Sequence, residues 1–132
     1  MVKNFGHIGI VVKDLDRAIE LYTQELGMTL EKRKENPELK IRIGLLRIGS
    51  VEIELIEFKD PDLPVPKAIQ GGKAGLSHFC LEVSRLNETI NELRSKGFKL
   101  MEGFPRQGSH GRIAFVSPPH APEERIELLE VE

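Results

Sequence analysis

The chain has one cysteine, Cys80, no tryptophan and one tyrosine among its 132 residues. A lone cysteine excludes an intramolecular disulfide and fits a reducing compartment. No stretch reaches the roughly 18 apolar residues of a membrane-spanning helix. The opening MVKNFGHIGIVV carries no signal-peptide cleavage pattern. No membrane partner and a cytoplasmic location are therefore expected. A net charge of −2, with both signs mixed along the chain, excludes the basic stripe of a nucleic-acid binder. At this length one domain is expected.

What is present is a repeat. HIGIVVKDLDRAIELYTQELGMTL at 7–30 echoes HFCLEVSRLNETINELRSKGFKL at 78–100. His7 aligns with His78, Leu15 with Leu86, Ile19 with Ile90 and Gly27 with Gly97. Ile53-Glu54-Leu55 then echoes Ile126-Glu127-Leu128. Each copy reads strand, helix, strands: a module at about 5–58, a connector at 59–74, and a module at about 75–132.

Ile8, Ile10 and Val12 share one face of the first strand, and His7 lies on the other. Asp14 is placed to cap a helix with the apolar stripe Leu15, Ala18, Ile19, Tyr22 and Leu26, closed by Gly27. In the second copy Phe79, Leu81 and Val83 oppose His78, Cys80 and Glu82. Ser84 or Asn87 is the expected cap of a helix carrying Leu86, Ile90 and Leu93. Strands are expected at 39–48, 50–58, 112–117 and 125–131. Val51, Ile53 and Leu55 oppose Glu54, and Ile126 and Leu128 oppose Glu127. The connector, KDPDLPVPKAIQGGKA, is marked by its prolines and paired glycines, with a short helical turn expected at Lys67–Gln70.

Hydrophobic packing accounts for repeated Ile and Leu. It gives no reason to repeat His and Glu on the opposite face. If the copies pack by a pseudo-twofold, His7, Glu54, His78 and Glu127 converge. Two imidazoles and two carboxylates suit a divalent cobalt, manganese, nickel or zinc ion and leave open positions for substrate.

Over essentially its whole length the chain resembles the vicinal oxygen chelate superfamily, the glyoxalase/bleomycin-resistance fold. The resemblance implies an α+β architecture: tandem βαβββ modules forming a curved mixed sheet around a metal site. It also implies that His7, Glu54, His78 and Glu127 are the ligands, and it predicts a homodimer. The metal site would lie within one chain or be shared between two.

Within the superfamily, VEIELIEF (51–58), GGKAGLSHFCLEV (71–83) and PRQGSHGRIAFVSP (105–118) look like the methylmalonyl-CoA epimerases. That implies a metal-dependent epimerase moving a proton alpha to a thioester, with Glu127 as base and Glu54 as the symmetry-related candidate for the second group. Some epimerases carry a glutamate in the strand matching 41–46, whereas this chain has Ile41-Arg42-Ile43-Gly44. Lys73, Arg106 and Arg112 are expected near the mouth, where the phosphates of an acyl-CoA would lie. Ser109 and His110 are expected to hydrogen-bond a substrate carboxylate or thioester. LYTQELGMTL and ENPELK also look like glyoxalase I, a lactoylglutathione lyase with the same four ligands. Val11 and Phe58, however, stand where small bacterial glyoxalases use Arg and Asn to hold glutathione. A non-catalytic small-molecule-binding member of the superfamily is the third alternative.

Overall fold

The computed structural model describes residues 1–38, 40–60, 62–69 and 73–132. They divide into two compact units. The N-terminal unit is His7–Ser77; the C-terminal unit is His78–Glu132 together with Met1–Gly6.

Strand β1 (Val2–Val11) leads into helix α1 (Leu15–Glu20), then β2 (Thr29–Asn36), β3 (Ile41–Ile48), β4 (Val51–Phe58) and the short helix α2 (Pro64–Ala68). In the N-terminal unit the strand order is β2-β3-β4-β1, with β1 parallel to β4 and the other pairs antiparallel. α2 begins before the expected turn, and Gln70 lies outside the described residues. The Asp14 side chain accepts from the Arg17 amide at 3.2 Å, capping α1 as its position predicts.

β5 (Gly75–Val83), α3 (Leu86–Ser95), β6 (Lys99–Leu100), β7 (Arg106–Gln107), β8 (Arg112–Ser117) and β9 (Ile126–Glu130) repeat the plan. The order in the C-terminal unit is β5-β9-β8-β6, with β7 also on β8, β5 parallel to β9 and the rest antiparallel. Each βαβββ module thus sets its last strand parallel beside its first. The class is α+β with mixed pairing, as the resemblance implied. Among the described residues no helix is long and apolar enough to cross a membrane.

Leu15, Ile19, Leu46 and Leu55 form a buried cluster joined by Ile10, Val12, Tyr22, Met28 and Ile53. All the strand residues in it come from one face of their strands, because side chains alternate. Gly44 lies on that face, and a Cβ there would sit 3.0 Å from Ile19 Cδ1. The missing side chain lets α1 approach β3 closely.

Leu26 departs from the predicted stripe: it is exposed. After Glu20 the helix widens into a π turn over Leu21–Glu25, and the Leu26 amide reaches back to the Leu21 carbonyl at 3.1 Å. The extra residue in that turn rotates Leu26 away from the apolar face.

The cap of α3 also differs from expectation. Arg85 is the N-cap and makes no side-chain cap, so neither Ser84 nor Asn87 holds that place. Glu130 supplies the acceptor instead, taking the Leu86 amide at 2.9 Å. Glu57 does the same for Leu15 at 2.9 Å. The repeat therefore includes a carboxylate on the helix-facing side of each module's last strand, set against a helix N-terminus where negative charge is favourable.

Candidate metal centre

In the N-terminal unit, alternation along β1 turns His7, Gly9 and Val11 away from α1. The parallel register puts Gly9 beside Glu54, and β3 puts Leu45 on the other side of Glu54. His7 and Glu54 therefore face each other across a glycine gap, with His7 Nε2 3.6 Å from Glu54 Oε2. Both are buried, at 3% and 6% exposure. The buried side chains of Val11, Ile43, Leu45 and Ile56 lie on the same strand face. Glu52 belongs to this face too. Donor atoms of His7, Glu52 and Glu54 all lie within 4.8 Å of one another. Arg47 holds Glu52 at 3.1 Å and also pairs with Glu31.

The C-terminal unit builds the equivalent pair more tightly. His78 Nε2 lies 3.0 Å from Glu127 Oε1, and the two residues are 5% and 7% exposed. Cys80 is the register partner of Glu127 in the parallel β5/β9 pair and is fully buried. Phe115, opposite Glu127 on β8, sets its ring edge-on to His78 at 5.2 Å, and Phe104 packs on Phe115 at 5.2 Å. The aromatic wall fixes the imidazole and lowers the local dielectric, which strengthens any charge interaction there.

The chemistry of these pairs fits a divalent cation. A carboxylate buried among apolar side chains is costly unless a positive charge meets it. In each unit one imidazole nitrogen and one carboxylate oxygen point at nearly the same place. Mixed nitrogen and oxygen donors suit the transition metals expected from the sequence.

The remaining predicted residues separate. Ser109 and His110 are half-buried in the turn between β7 and β8, closed by the Gly108 amide donating to the Gly111 carbonyl at 2.7 Å. Arg106 lies opposite Ile113, on the same face as Phe115 and Glu127. Lys73 is exposed, just after the undescribed residues 70–72. Arg112 lies on the opposite face from His78 and Glu127, paired with Glu130 at 3.5 Å and with Asn87 at 3.3 Å. Strand alternation sends its cation to the start of α3, not to a substrate mouth.

Two residues of these faces were not anticipated. Glu52 shares the Glu54 side in the alternation of VEIELIEF, but the repeat does not mark it, since Arg125 stands at the matching place before Ile126-Glu127-Leu128. Ser117 is 1% exposed, lies on the Phe115 face, and its Oγ has no hydrogen-bond partner among the described residues. Nothing in a serine before two prolines announces that.

Residues 6–115 match the model of the Glyoxalase/Bleomycin resistance protein/Dioxygenase superfamily. The chain belongs to this superfamily. Methylmalonyl-CoA epimerase from Mycobacterium tuberculosis superposes with a TM-score of 0.80 at 34% identity, covering 99% of this chain and 89% of that one. A Streptomyces coelicolor methylmalonyl-CoA epimerase variant in complex with 2-nitronate-propionyl-CoA superposes with a TM-score of 0.78 at 27% identity, covering 97% and 94%. Lactoylglutathione lyase of Escherichia coli O157:H7 is 33% identical over 94% of this chain and 90% of its own length. These relatives include epimerases and a lyase.

Proposed function

We propose that this protein is a metal-dependent epimerase that moves a proton alpha to a thioester, with methylmalonyl-CoA as substrate. The observation that carries the proposal is the buried His–Glu pair built once by each module, on the face turned away from its helix. We assign His7, Glu54, His78 and Glu127 as ligands of one divalent ion, in the functional homodimer that the superfamily resemblance implies.

When bound, the ion supplies positive charge beside the thioester oxygen, which acidifies the neighbouring C–H. Glu127 takes that proton onto its carboxylate as general base. His78 Nε2 and Glu127 Oε1 lie 3.0 Å apart, so an ion taking both would hold the carboxylate beside the imidazole. Glu54, from the other module, is assigned to return a proton to the opposite face. The apolar surroundings of both pairs exclude the water that would otherwise compete for those protons. Ser109 and His110 are assigned to the substrate, as are Lys73 and Arg106. Arg112 is left out of the assignment because it pairs with Glu130 and Asn87 beside α3.

Incubation of metal-loaded protein with methylmalonyl-CoA in deuterated water tests the reading. Exchange of the α-hydrogen is expected, and its absence with cobalt, manganese, nickel and zinc alike refutes the epimerase. The second reading, a glyoxalase-type lyase, is favoured by the similarity to lactoylglutathione lyase. Against it stands position 11, a buried valine that offers glutathione no charge. A parallel assay with methylglyoxal and glutathione separates the two. A purified protein that takes up no transition metal and stays inactive after metal addition would instead fit a non-catalytic binder.

A further inference from the structure

Three of the partly buried arginines have evident partners. Arg42 pairs with Glu57 at 3.0 Å and with Asp16 at 3.2 Å. Arg112 pairs with Glu130, and Arg125 donates to the Pro122 carbonyl. Arg106 differs. Its Nε is buried with no hydrogen-bond partner, and no carboxylate pairs with its guanidinium among the described residues. The residue is only partly buried, but an N–H of its guanidinium withdrawn from water without a partner is unfavourable. Its retention calls for an anion that arrives later.

The surroundings say where that anion sits. Arg106 is opposite Ile113 on β8, and Phe115, two residues on, is opposite Glu127 on β9. Paired residues share a face, so Arg106, Ile113, Phe115 and Glu127 all project to the side of the sheet that carries His78. Strand spacing places the Arg106 and Glu127 Cα atoms roughly 12 Å apart, two strand widths across and two residues along. From that spacing a long guanidinium side chain and a shorter carboxylate on one face can bracket a three-carbon diacid. The segment bearing Arg106 is held down on both sides. Phe104 packs on Phe115, and Gly108 lies so close to Ile113 that a Cβ would meet its Cδ1 at 2.8 Å. The phosphates of CoA lie a whole pantetheine arm away from the reacting carbon, so they are poorly placed to meet a guanidinium on this face.

We infer that Arg106 anchors a free carboxylate on the substrate carbon that exchanges its proton, and so selects malonyl-type acyl thioesters over simple ones. The inference rests on the epimerase reading above. Arg106 makes a charge-assisted fork to that carboxylate, and the anion in turn relieves its burial.

Calorimetric titration of the metal-loaded protein with methylmalonyl-CoA, and with propionyl-CoA, which lacks only the carboxylate, tests it. Wild type is expected to prefer methylmalonyl-CoA by roughly ten- to a hundredfold, the scale of one charge-assisted hydrogen-bonded contact. Arg106→Gln should erase the preference, Arg106→Lys should recover part of it, and affinity for free CoA should not change. The melting temperature of Arg106→Gln should hold or rise, since a buried N–H without a partner is removed. A preference kept by Arg106→Gln overturns the inference, as does an equal loss for both esters, which marks a phosphate contact. A fall in melting temperature also overturns it, by revealing a structural role. If wild type binds neither ester, the thioester reading fails and the inference with it. If it binds both but catalyses no deuterium exchange, the epimerase reading fails, and the ester preference still decides the role of Arg106.

Discussion

Glu130 accepts the backbone amide of Leu86 at 2.9 Å, tying the last strand of the second module to the first turn of its helix. The same carboxylate pairs with Arg112. Glu57, Leu15 and Arg42 repeat the arrangement in the first module. Each of these glutamates stands three residues after a proposed metal-binding glutamate, on the other face of the strand. The opposite-face pair Glu54 and Glu57, like Glu127 and Glu130, sets one carboxylate proposed for the site against one that holds the scaffold. Glu130→Ala should cost about 1–2 kcal/mol, the scale of a lost helix cap. Denaturant unfolding reads that loss, while exchange activity per folded molecule should stay unchanged. A drop in activity without loss of stability would show that Glu130 belongs to the site.

Gly44 lets α1 pack closely on β3. An alanine there brings Cβ to 3.0 Å from Ile19 Cδ1, 3.3 Å from Ile19 Cγ1 and 3.4 Å from Leu15 Cδ1. Both neighbours are buried and have little room to move. Gly44→Ala is expected to destabilise by about 1–3 kcal/mol through overpacking. Gly44→Ala combined with Ile19→Val should recover part of it, as seen in paired unfolding curves.

Asp16 joins α1 to two strands, accepting from Arg33 at 2.7 Å and from Arg42 at 3.2 Å. The Arg33 hydrogen bond, followed by the nearby charge of Arg42, holds its carboxyl below the ordinary aspartate value of 3.8. A lowered folded value means the stabilisation is fully present above that ordinary value and is lost as pH falls through the folded one. Unfolding midpoints should therefore decline below about pH 4. Asp16→Asn should flatten that part of the profile while leaving a slightly lower plateau at neutral pH. The effect is small because the side chain is exposed to solvent. A steeper acid limb in Asp16→Asn would contradict the assignment.

Glu127→Gln keeps the shape of the side chain and removes its basicity. Exchange should fall by a factor of about a hundred to ten thousand, the range for a lost general base. Metal content measured alongside exchange separates a lost base from a lost ligand. Full retention of exchange would show that another group takes the proton.

The repeat made both modules legible because Ile and Leu recur at the spacings that packing demands. The His–Glu pairs were legible because strand alternation puts them opposite those residues. Other features were hidden. TLEKRKEN forms β2, yet its charges show no apolar face, since this strand at the end of its unit's order is largely solvated. β6 and β7 are two residues each, too short for any periodicity to register. RIAFVS on β8 is apolar on both faces, so nothing in it revealed that Arg112 faces α3. The roles of Glu57 and Glu130 are not visible in the sequence, because their partners are the backbone amides of helices 42 and 44 residues away.

The central claim is that two His–Glu pairs, one from each module, hold a single catalytic metal. Elemental analysis of the purified protein, with His7→Ala and His78→Ala beside it, tests this most directly. The account predicts one divalent transition-metal ion per pair of modules in wild type, and loss of that ion with either substitution. Two ions per chain, or full metal content after either substitution, would contradict it.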